Sequence, residues 1–593
     1  MQPRAQVELA SCDSVMDGAT THRIAVSLVG GRIKQGGQDT EQLPPTASSI
    51  QKYQPLATPL MVDAADPFLL PTPLAGVADY RGRPVYRSTS GGWRSALFVV
   101  AVEIAGSFAY FGVSANLITY LTGPLGHSNA SAAAAVNAWS GTASLMPLLG
   151  AFLADAYLGR YPSIILACSL YVLGYGMLAL SATLPALRPT CTAVDSLSGC
   201  RPGWAQVTFF YVSLYLTALA QGADKPCGLA FAADQFDADH PKERASRGSL
   251  FNWWFFCMAV GISVAVSVVG YIQENVGWGV GFVVPCAIVL CAFAVFLLGT
   301  PTYRVYAPRS SSGSSSPFSR LARSLLLLLL AKRSEDDERE EDARCVLRLL
   351  PIWATSLAYG VVYAQIMTLF NKQGRTLDRR VAGGALELPP AALLALGPAS
   401  ILLFVPVYDR AVVPALRWAT GRPSGLSMLQ RVGAGMATSL AAVAVAALVE
   451  ARRLETAREH GLVDSPGATV PMSWAWLVPQ YAMMGVADVL AVVGLQELFY
   501  DQMPEVLRSL GLALYLSVMG VGGLLSSLLI SLIDGLTGRG GADSWFADNL
   551  NRAHLDYFYW LLAGLSAAEL ALFLCFARSY VYRRSNAIIL YRK

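Results

Sequence analysis

Residues 280–298 read VGFVVPCAIVLCAFAVFLL, nineteen residues without a charged side chain. A helix of about 20 residues crosses the roughly 30 Å hydrocarbon layer of a bilayer, so this stretch predicts a membrane-spanning helix. Comparable apolar blocks recur along the chain, for example at 95–121 and 163–184. Their repetition indicates a polytopic helical membrane protein rather than a soluble protein with one anchor.

The composition excludes several classes of protein. Of the 593 residues, 54% are hydrophobic and 14% are charged, with a mean hydropathy of +0.45. Soluble domains carry about 25% charged residues, so this chain has too few to cover a water-facing surface. Its net charge of +4 is too small to predict binding to nucleic acid. Ten Cys and five His occur without a C-x-x-C pair, so no metal site or other cofactor is predicted.

Twelve apolar blocks are candidate spans. They lie near 94–122, 133–154, 161–182, 205–232, 248–271, 278–299, 346–370, 391–409, 428–450, 473–500, 509–532 and 556–580. Lys and Arg are concentrated in the loops that share a side with both termini, which predicts cytosolic termini. The longest loop separates six spans from six, so we expect an all-α membrane protein with twelve transmembrane helices in two six-helix bundles.

The predicted division of the chain follows from these blocks. It comprises a disordered cytosolic arm at 1–91, a bundle at 92–300, a cytosolic linker at 301–345, a second bundle at 346–582 and a cytosolic tail at 583–593. The linker contains the Ser run Ser310 to Ser316, which is either a target for a kinase or ordinary solvated linker composition. Asn129-Ala-Ser131 is a glycosylation sequon, but its closeness to the second span argues against its use.

Ionisable residues inside a membrane span are candidates for function, because inserting one costs about 2.5–3.5 kcal/mol. Those deep in predicted spans are Glu103, Asp224, Lys225, Asp488, Glu497, Asp534 and Glu569. Lys225 is the strongest candidate, since it precedes Pro226, where loosened helix packing opens space for a solute. Its ammonium requires a carboxylate or an anionic solute, and Glu103 and Asp488 are the available carboxylates. A solute site and a structural ion pair both remain open for Lys225.

Two other groups of charged residues have weaker assignments. Asp224 projects about 100° away from Lys225 around the helix, so the two cannot share a face. Glu497 and Asp501, followed by Arg508, are typical of a helix end that takes part in a cytosolic gate.

Several longer motifs carry a resemblance to a known family. They read GAFLADAYLGR at 150–160, KPCGLAFAADQFD at 225–237, FNWWFF at 251–256, LPIW at 350–353, QELFYDQMP at 496–504 and RSLG at 508–511. Over about residues 88–582 the chain resembles the proton-dependent oligopeptide transporters of the major facilitator superfamily, in the form of the plant nitrate and peptide transporter family. The resemblance implies a major facilitator fold and secondary-active transport of a small anionic or zwitterionic solute by alternating access.

The resemblance also implies roles for individual residues. The positions matched to solute binding or proton coupling are Glu103, Lys225 and Asp488, and those matched to a gate are Asp155 and Arg160. Tyr363 stands where some relatives hold nitrate with a histidine, so it offers a neutral hydroxyl instead of a cation. Tyr110, Asn116 and Tyr363 are candidate groups lining a solute cavity, although plain aromatic packing remains open for both tyrosines.

The first span departs from the pattern of the family. Relatives carry Glu-x-x-Glu-Arg/Lys there, whereas this chain reads Glu103-Ile-Ala-Gly106-Ser107, so the second carboxylate and the cation are absent. Three outcomes remain open: proton coupling through Glu103, Lys225 and Asp488 alone; downhill movement or export; or an impaired transporter.

Other classes of function are weighed against transport. An enzyme is not predicted, because no nucleophile and base lie at a recognisable spacing and no phosphate-binding loop is present. A membrane receptor or sensor that binds solute with little flux is the alternative. The resemblance leaves nitrate, peptides and hormone-like organic anions as solutes, with protons as a further partner. It also leaves the plasma membrane and the vacuolar membrane as locations.

Overall fold

Helices account for most of the described chain. The computed structural model describes residues 73–74, 76–188, 202–237, 240–306, 337–381, 386–421, 426–503, 508–539 and 543–580. Over these residues nine helices are long and apolar enough to cross a membrane, and the bent pair Arg344–Ala354 and Leu357–Arg375 would make a tenth. The predicted class of polytopic helical membrane protein is therefore confirmed.

In the first half of the chain, the described residues form eight α-helices. They are α1 Gly92–Thr122, α2 Asn129–Leu153, α3 Arg160–Thr183, α4 Trp204–Asp224, α5 Gly228–Asp234, α6 Pro241–Val264, α7 Gly270–Asn275 and α8 Trp278–Gly299. Single π-helical turns follow α2 and α6, at Ala154–Leu158 and Ala265–Val269. Helix α3 packs against α4 and α8, and α1 packs against α6 and α8. Helices α2 and α4 coincide with two predicted spans but are not among the nine apolar helices.

In the part of the second half that the structure describes, there are ten α-helices. They are α9 Asp337–Ala354, α10 Leu357–Tyr363, α11 Leu369–Arg375, α12 Leu396–Val407, α13 Val413–Thr420, α14 Met428–Glu459, α15 Val478–Ala487, α16 Val493–Gln502, α17 Arg508–Thr537 and α18 Leu555–Ser579. Turns of 3₁₀ helix precede α12 and α15, and π-helical turns join α12 to α13 at Tyr408–Val412 and α15 to α16 at Asp488–Val492. Helix α14 packs against α15 and α18, and α10 packs against α17.

Among the described residues, six short strands pair with one another outside the helices. Strands β1 Val77–Ala78 and β2 Val305–Tyr306 are antiparallel, β3 Leu377–Asp378 is parallel to β6 Val470–Ser473, and β4 Arg380–Val381 is antiparallel to β5 Leu386–Glu387. The first pair joins the segment before α1 to the segment after α8.

Two predicted continuous spans are broken helices. The block at 205–232 forms α4 and α5, with a non-helical turn at residues 225–227. Pro226 has no N–H to donate to the carbonyl one turn earlier, so the helix is interrupted there. The block at 346–370 begins earlier, at Asp337, and is divided among α9, α10 and α11. Apolar periodicity alone does not reveal such breaks.

The end of the predicted N-terminal arm is folded onto the first half of the chain. Besides the β1–β2 pair, Arg87 forms an ion pair with Asp237 at 2.5 Å. The buried Arg304 donates hydrogen bonds to the carbonyl of Ser90 at 2.8 Å and to Glu243 at 2.7 Å. The expectation of disorder up to residue 91 is therefore wrong for 76–91. Residues 1–72, the Ser310 to Ser316 run and the tail at 583–593 lie outside the described residues.

The sequon at Asn129 should not be glycosylated. Its side chain is 5% exposed, and Nδ2 donates to the carbonyls of Ala547 and Asp548 at 3.1 and 3.2 Å. A glycan attached to that nitrogen would have no room in this conformation. We expect glycosidase treatment of the protein from a eukaryotic host to leave its gel mobility unchanged, as in Asn129→Gln. A mobility shift in the wild type alone would contradict this prediction.

Candidate functional site

Lys225 and Glu103 form an ion pair in the interior of the first half. The Lys225 Nζ lies 3.6 Å from Glu103 Oε2 and donates a hydrogen bond of 2.8 Å to the hydroxyl of Ser107. Glu103 and Ser107 are one turn apart on α1, so both face the same point of the segment after α4. The side chain of Glu103 is 2% exposed and that of Lys225 is 24% exposed. The ammonium therefore combines a buried partner with partial access to solvent.

The backbone around the α4–α5 break leaves room for this pair. The break at Pro226 is followed by Gly228, the first residue of α5, and this glycine lies directly against the Glu103 carboxylate. A methyl group at position 228 would overlap the Glu103 side chain. A glycine is therefore required at this position because of the close approach of a carboxylate, not because of the backbone angles.

Asp224 is a second buried carboxylate next to this pair. Its side chain is fully buried, and its Oδ2 accepts a hydrogen bond from the Tyr171 hydroxyl at 3.3 Å. The other oxygen, Oδ1, has no partner among the described residues. The hydrogen-bond partners of the two neighbours lie on different helices, because Asp224 accepts from Tyr171 on α3 while Lys225 donates to Ser107 on α1.

Asp488 lies in the second half and is not the partner of Lys225. It begins the π-helical turn between α15 and α16, and the Tyr359 hydroxyl donates a hydrogen bond to its Oδ1. Tyr363 is one turn after Tyr359, with 6.4 Å between the ring centroids, and lies near Asp488 and Tyr110. Of the two carboxylates expected to compete for Lys225, the structure pairs it with Glu103.

The remaining predicted lining residues occupy different places on α1. Tyr110 stacks on Trp139 with 5.0 Å between ring centroids, and its hydroxyl lies 3.1 Å from the Ser140 hydroxyl. Asn116 is fully buried and lies 13 residues beyond Glu103, or about 20 Å along the helix. Asn116 therefore does not join the Lys225 group.

The predicted gate residues pair within one half. Arg160 forms an ion pair with Asp234. Glu497 Oε2 lies 3.4 Å from a guanidinium nitrogen of Arg431 on α14, while Asp501 is exposed at the end of α16. In this conformation each of these two ion pairs lies within one half of the molecule, and a role of these residues in a cytosolic gate stays a prediction. The side chains of Asp155 and Arg508 lie outside the described residues.

Contacts between the halves occur at the end of the molecule that holds the α1–α2 loop, which we call the outer end. Lys372 Nζ of α11 lies 2.5 Å from the Thr122 hydroxyl of α1, and Asn371 donates to the carbonyl of Ala115. The Asn129 N–H donates to Asp548 at 2.8 Å. Nearer the middle, Asn137 donates to Ser526 at 2.9 Å. These bonds close the outer end between the halves.

Sequence reasoning missed three contributors to the site. Ser107 and Gly228 contact the Lys225–Glu103 pair, and Tyr359 binds Asp488. Tyr359 could have been predicted from the sequence, because it lies one helical turn before Tyr363. The contact between Gly228 and Glu103 could not, because it depends on how α1 and α5 pack. Among the described residues, no group of three His, Cys, Asp or Glu side chains could hold a metal ion.

Comparison with known proteins identifies the family. The model of the POT family matches residues 161–335 and 328–546. Two Arabidopsis thaliana proteins, NRT1/PTR FAMILY 5.10 and NRT1/PTR FAMILY 5.16, are 50% and 48% identical to the chain over 550 and 548 residues. Each alignment covers 86% of this chain and 97% of the relative.

Solved structures share the fold. An auto-inhibited POT family peptide transporter has a TM-score of 0.64 at 21% identity, with 83% of this chain and 99% of that chain covered. The transporter PepTSo has a TM-score of 0.63 at 20% identity, covering 82% and 99%. A POT family transporter in complex with 5-aminolevulinic acid has a TM-score of 0.62 at 14% identity, covering 83% and 99%. The expected major facilitator fold is confirmed, and the relatives are transporters rather than enzymes. This chain belongs to the POT family of membrane transporters.

Proposed function

We propose that the protein is a secondary-active carrier of a small anionic or zwitterionic solute that works by alternating access. The solute class comprises nitrate, peptides and hormone-like organic anions. The observation that carries the proposal is the Lys225 ammonium, which is held by the buried Glu103 at 3.6 Å and is still 24% exposed. A positive charge in that position binds an anionic group of a solute and gives up its internal partner in exchange.

The second half supplies a complementary charge. Asp488 and its donor Tyr359 lie on the α10 and α15–α16 side of the structure. A zwitterionic solute would place its anionic group on Lys225 and its cationic group towards Asp488, while Tyr363 and Tyr110 contribute hydroxyls and ring faces. Binding between the halves in this way links solute capture to their relative movement.

The conformation described corresponds to one of the two end states of the alternating-access cycle. The outer end is closed by Lys372, Asn371 and Asn129. Movement to the opposite state requires these hydrogen bonds to break and the two halves to rock about their contact, which is formed by α2 and α17. With cytosolic termini, the closed end would face the exterior or the vacuolar lumen. We propose the plasma membrane or the vacuolar membrane as the location.

A transport assay with purified protein tests the proposal. Proteoliposomes would be supplied with nitrate, with alanyl-alanine or with 5-aminolevulinic acid, at two external pH values, and uptake would be compared with protein-free liposomes. We expect saturable uptake of at least one probe. Saturable binding without uptake would favour the receptor alternative, and neither binding nor uptake of any probe would contradict the proposal.

Gly228→Ala should weaken transport by displacing Glu103. The added methyl would overlap the end of the Glu103 side chain, which is able to rotate away, so the fold should persist while the ion pair with Lys225 is lost. We expect uptake to fall by about tenfold, which corresponds to about 1.4 kcal/mol.

The matched control for this variant is Gly176→Ala on α3. A methyl group there would make only an ordinary contact, 3.9 Å from Cys286 Sγ. Gly176→Ala should transport like the wild type, and both variants should elute as folded protein in size-exclusion chromatography. Equal uptake by both variants would show that the position of the Glu103 carboxylate does not matter.

A further inference from the structure

Asp224 is a buried carboxylate to which the proposed transport mechanism assigns no role. It is the last residue of α4, and none of its side chain is exposed to solvent. One of its oxygens, Oδ1, has no hydrogen-bond partner among the described residues. A buried and only partly satisfied carboxylate is unfavourable when it is ionised, because nothing replaces its hydration.

Helix α1 approaches Asp224 at a glycine. A Cβ built on Gly106 would lie 3.1 Å from Asp224 Oδ2 and 3.5 Å from the Tyr171 hydroxyl. Gly106 lies one turn from Glu103 and next to Ser107, the two residues that contact Lys225. The carboxyl group of Asp224 is thus seated against the stretch of α1 that holds the Lys225–Glu103 pair.

Around Asp224, carboxylates outnumber cations. The ionisable groups near it are Glu103 on α1, Cys168, Tyr171 and Tyr175 on α3, and Lys225 in its own segment. Helix α2, which also packs against α4, carries no ionisable side chain. Among these neighbours Lys225 is the only cation, so one ammonium serves two carboxylates, and Glu103 holds the direct ion pair. The cluster is neutral only when one carboxyl group carries a proton.

We infer that Asp224 is a proton-binding group whose protonation is linked to anion binding at Lys225, an inference that rests on the proposed function. With both carboxylates ionised, the cluster has a net charge of −1 and repels an anionic solute. A proton on Asp224 makes the cluster neutral and leaves the ammonium available to the solute. Solute affinity therefore rises as the pH falls. The proton comes from water that reaches the partly exposed Lys225 ammonium and returns to water on the opposite side after the halves move, so only an O–H bond forms and breaks.

Infrared spectroscopy tests the proton directly and does not depend on transport. Purified wild type would be titrated between about pH 5 and pH 9, the range in which buried carboxyl groups can titrate. We expect a carbonyl band of a protonated carboxyl group that weakens as the pH rises, that is absent in Asp224→Asn and that persists in Asp534→Asn. Asp534 is the matched control, since its carboxylate accepts a hydrogen bond from Ser544 at 2.5 Å, well apart from Lys225 in the sequence and the fold. A band that remains in Asp224→Asn but disappears in Glu103→Gln would overturn the assignment.

The link to the solute is tested by repeating the titration with nitrate, alanyl-alanine or 5-aminolevulinic acid. Binding of the anionic group should move the midpoint of the Asp224 band to higher pH in the wild type, and Lys225→Gln should abolish that movement. A midpoint that none of the three probes moves would overturn the link, even if the band itself belongs to Asp224. Tyr171→Phe removes only the hydrogen bond to Asp224, so the midpoint of the band should still move when solute binds. This variant therefore distinguishes an effect of charge at Lys225 from an effect of packing around Asp224.

The pH dependence of solute uptake is a third test of the role of Asp224. In the wild type, uptake should rise as the external pH falls, by at most about tenfold per pH unit for one titrating group. In Asp224→Asn, whose amide resembles the protonated acid, this dependence should be lost together with accumulation driven by a pH gradient. Wild-type uptake with no pH dependence, or a pH dependence that survives in Asp224→Asn, would overturn the inference. If the wild type carries none of the three probes, the proposed function fails, while the infrared band still decides whether Asp224 binds a proton.

Discussion

Lys225→Ala should abolish uptake of every solute that the wild type carries. The substitution removes the positive charge that binds the anionic group, and it leaves the buried Glu103 carboxylate without its ion-pair partner. Truncating one partner of a desolvated charge pair between binding partners costs about 2–5 kcal/mol of binding free energy. Because about 1.4 kcal/mol corresponds to a factor of ten, we expect solute affinity and uptake to fall by about a hundredfold. Initial rates in proteoliposomes and equilibrium binding to the purified protein measure the two effects separately.

The controls for Lys225→Ala distinguish the loss of the positive charge from a loss of folded protein. Lys242 is exposed in the first turn of α6, and Lys242→Ala should transport like the wild type. Lys225→Ala combined with Glu103→Gln removes both charges of the pair, so it should recover thermal stability without recovering uptake. If Lys225→Ala retained both solute binding and uptake, the solute would not depend on this cation and the proposed function would be wrong.

Gly141→Val should cause the second large loss of uptake. Helix α2 of the first half and α17 of the second half pack closely, and a Cβ at position 141 would lie 2.7 Å from the Gly520 carbonyl oxygen and 2.9 Å from the Leu524 nitrogen. Both are backbone atoms, so the helices would have to move apart. Overpacking of this kind costs about 1–3 kcal/mol. In the proposed alternating-access mechanism the two halves rock at this contact, so we expect uptake to fall by about tenfold or more.

A glycine of α17 itself supplies the control for this variant. A Cβ at position 535 would have no atom of the described residues within 4 Å, in contrast to a Cβ at Gly520 on the same helix. Gly535→Val inserts the same side chain into a helix without a steric clash and should leave uptake and melting temperature close to the wild type. Gly141→Val with normal uptake would show that the close approach of α2 and α17 is not needed for transport.

The class of protein and its main candidate residue could be predicted from the sequence. Membrane crossing depends on the length and polarity of a local stretch, and 280–298 shows both without any knowledge of neighbours. Lys225 stands out for a similarly local reason, since an ammonium beside a proline inside an apolar block is rare and needs a partner. The family motifs then led to the POT family, which the comparisons confirm.

The sequence could not choose between partners separated by a hundred residues or more. Glu103 and Asp488 were equally available to Lys225, and only the packing of α1 against the α4–α5 break pairs it with Glu103. In the same way, the sequence did not show that Glu497 contacts Arg431, which lies 66 residues earlier in the chain. These outcomes depend on which helix faces meet, and helix faces are set by tertiary contacts.

By itself the sequence determined that the chain is a helical membrane protein with a positive charge inside its fourth apolar block, because hydrophobic length and an isolated charge are properties of a local stretch. The likeness to transporters came from the family motifs, which are also local. The tertiary structure alone decided that Gly106 leaves room for Asp224 beside the Lys225–Glu103 pair. It did so because the distance between two helices is set by the side chains along their whole contact, and no single segment contains that information.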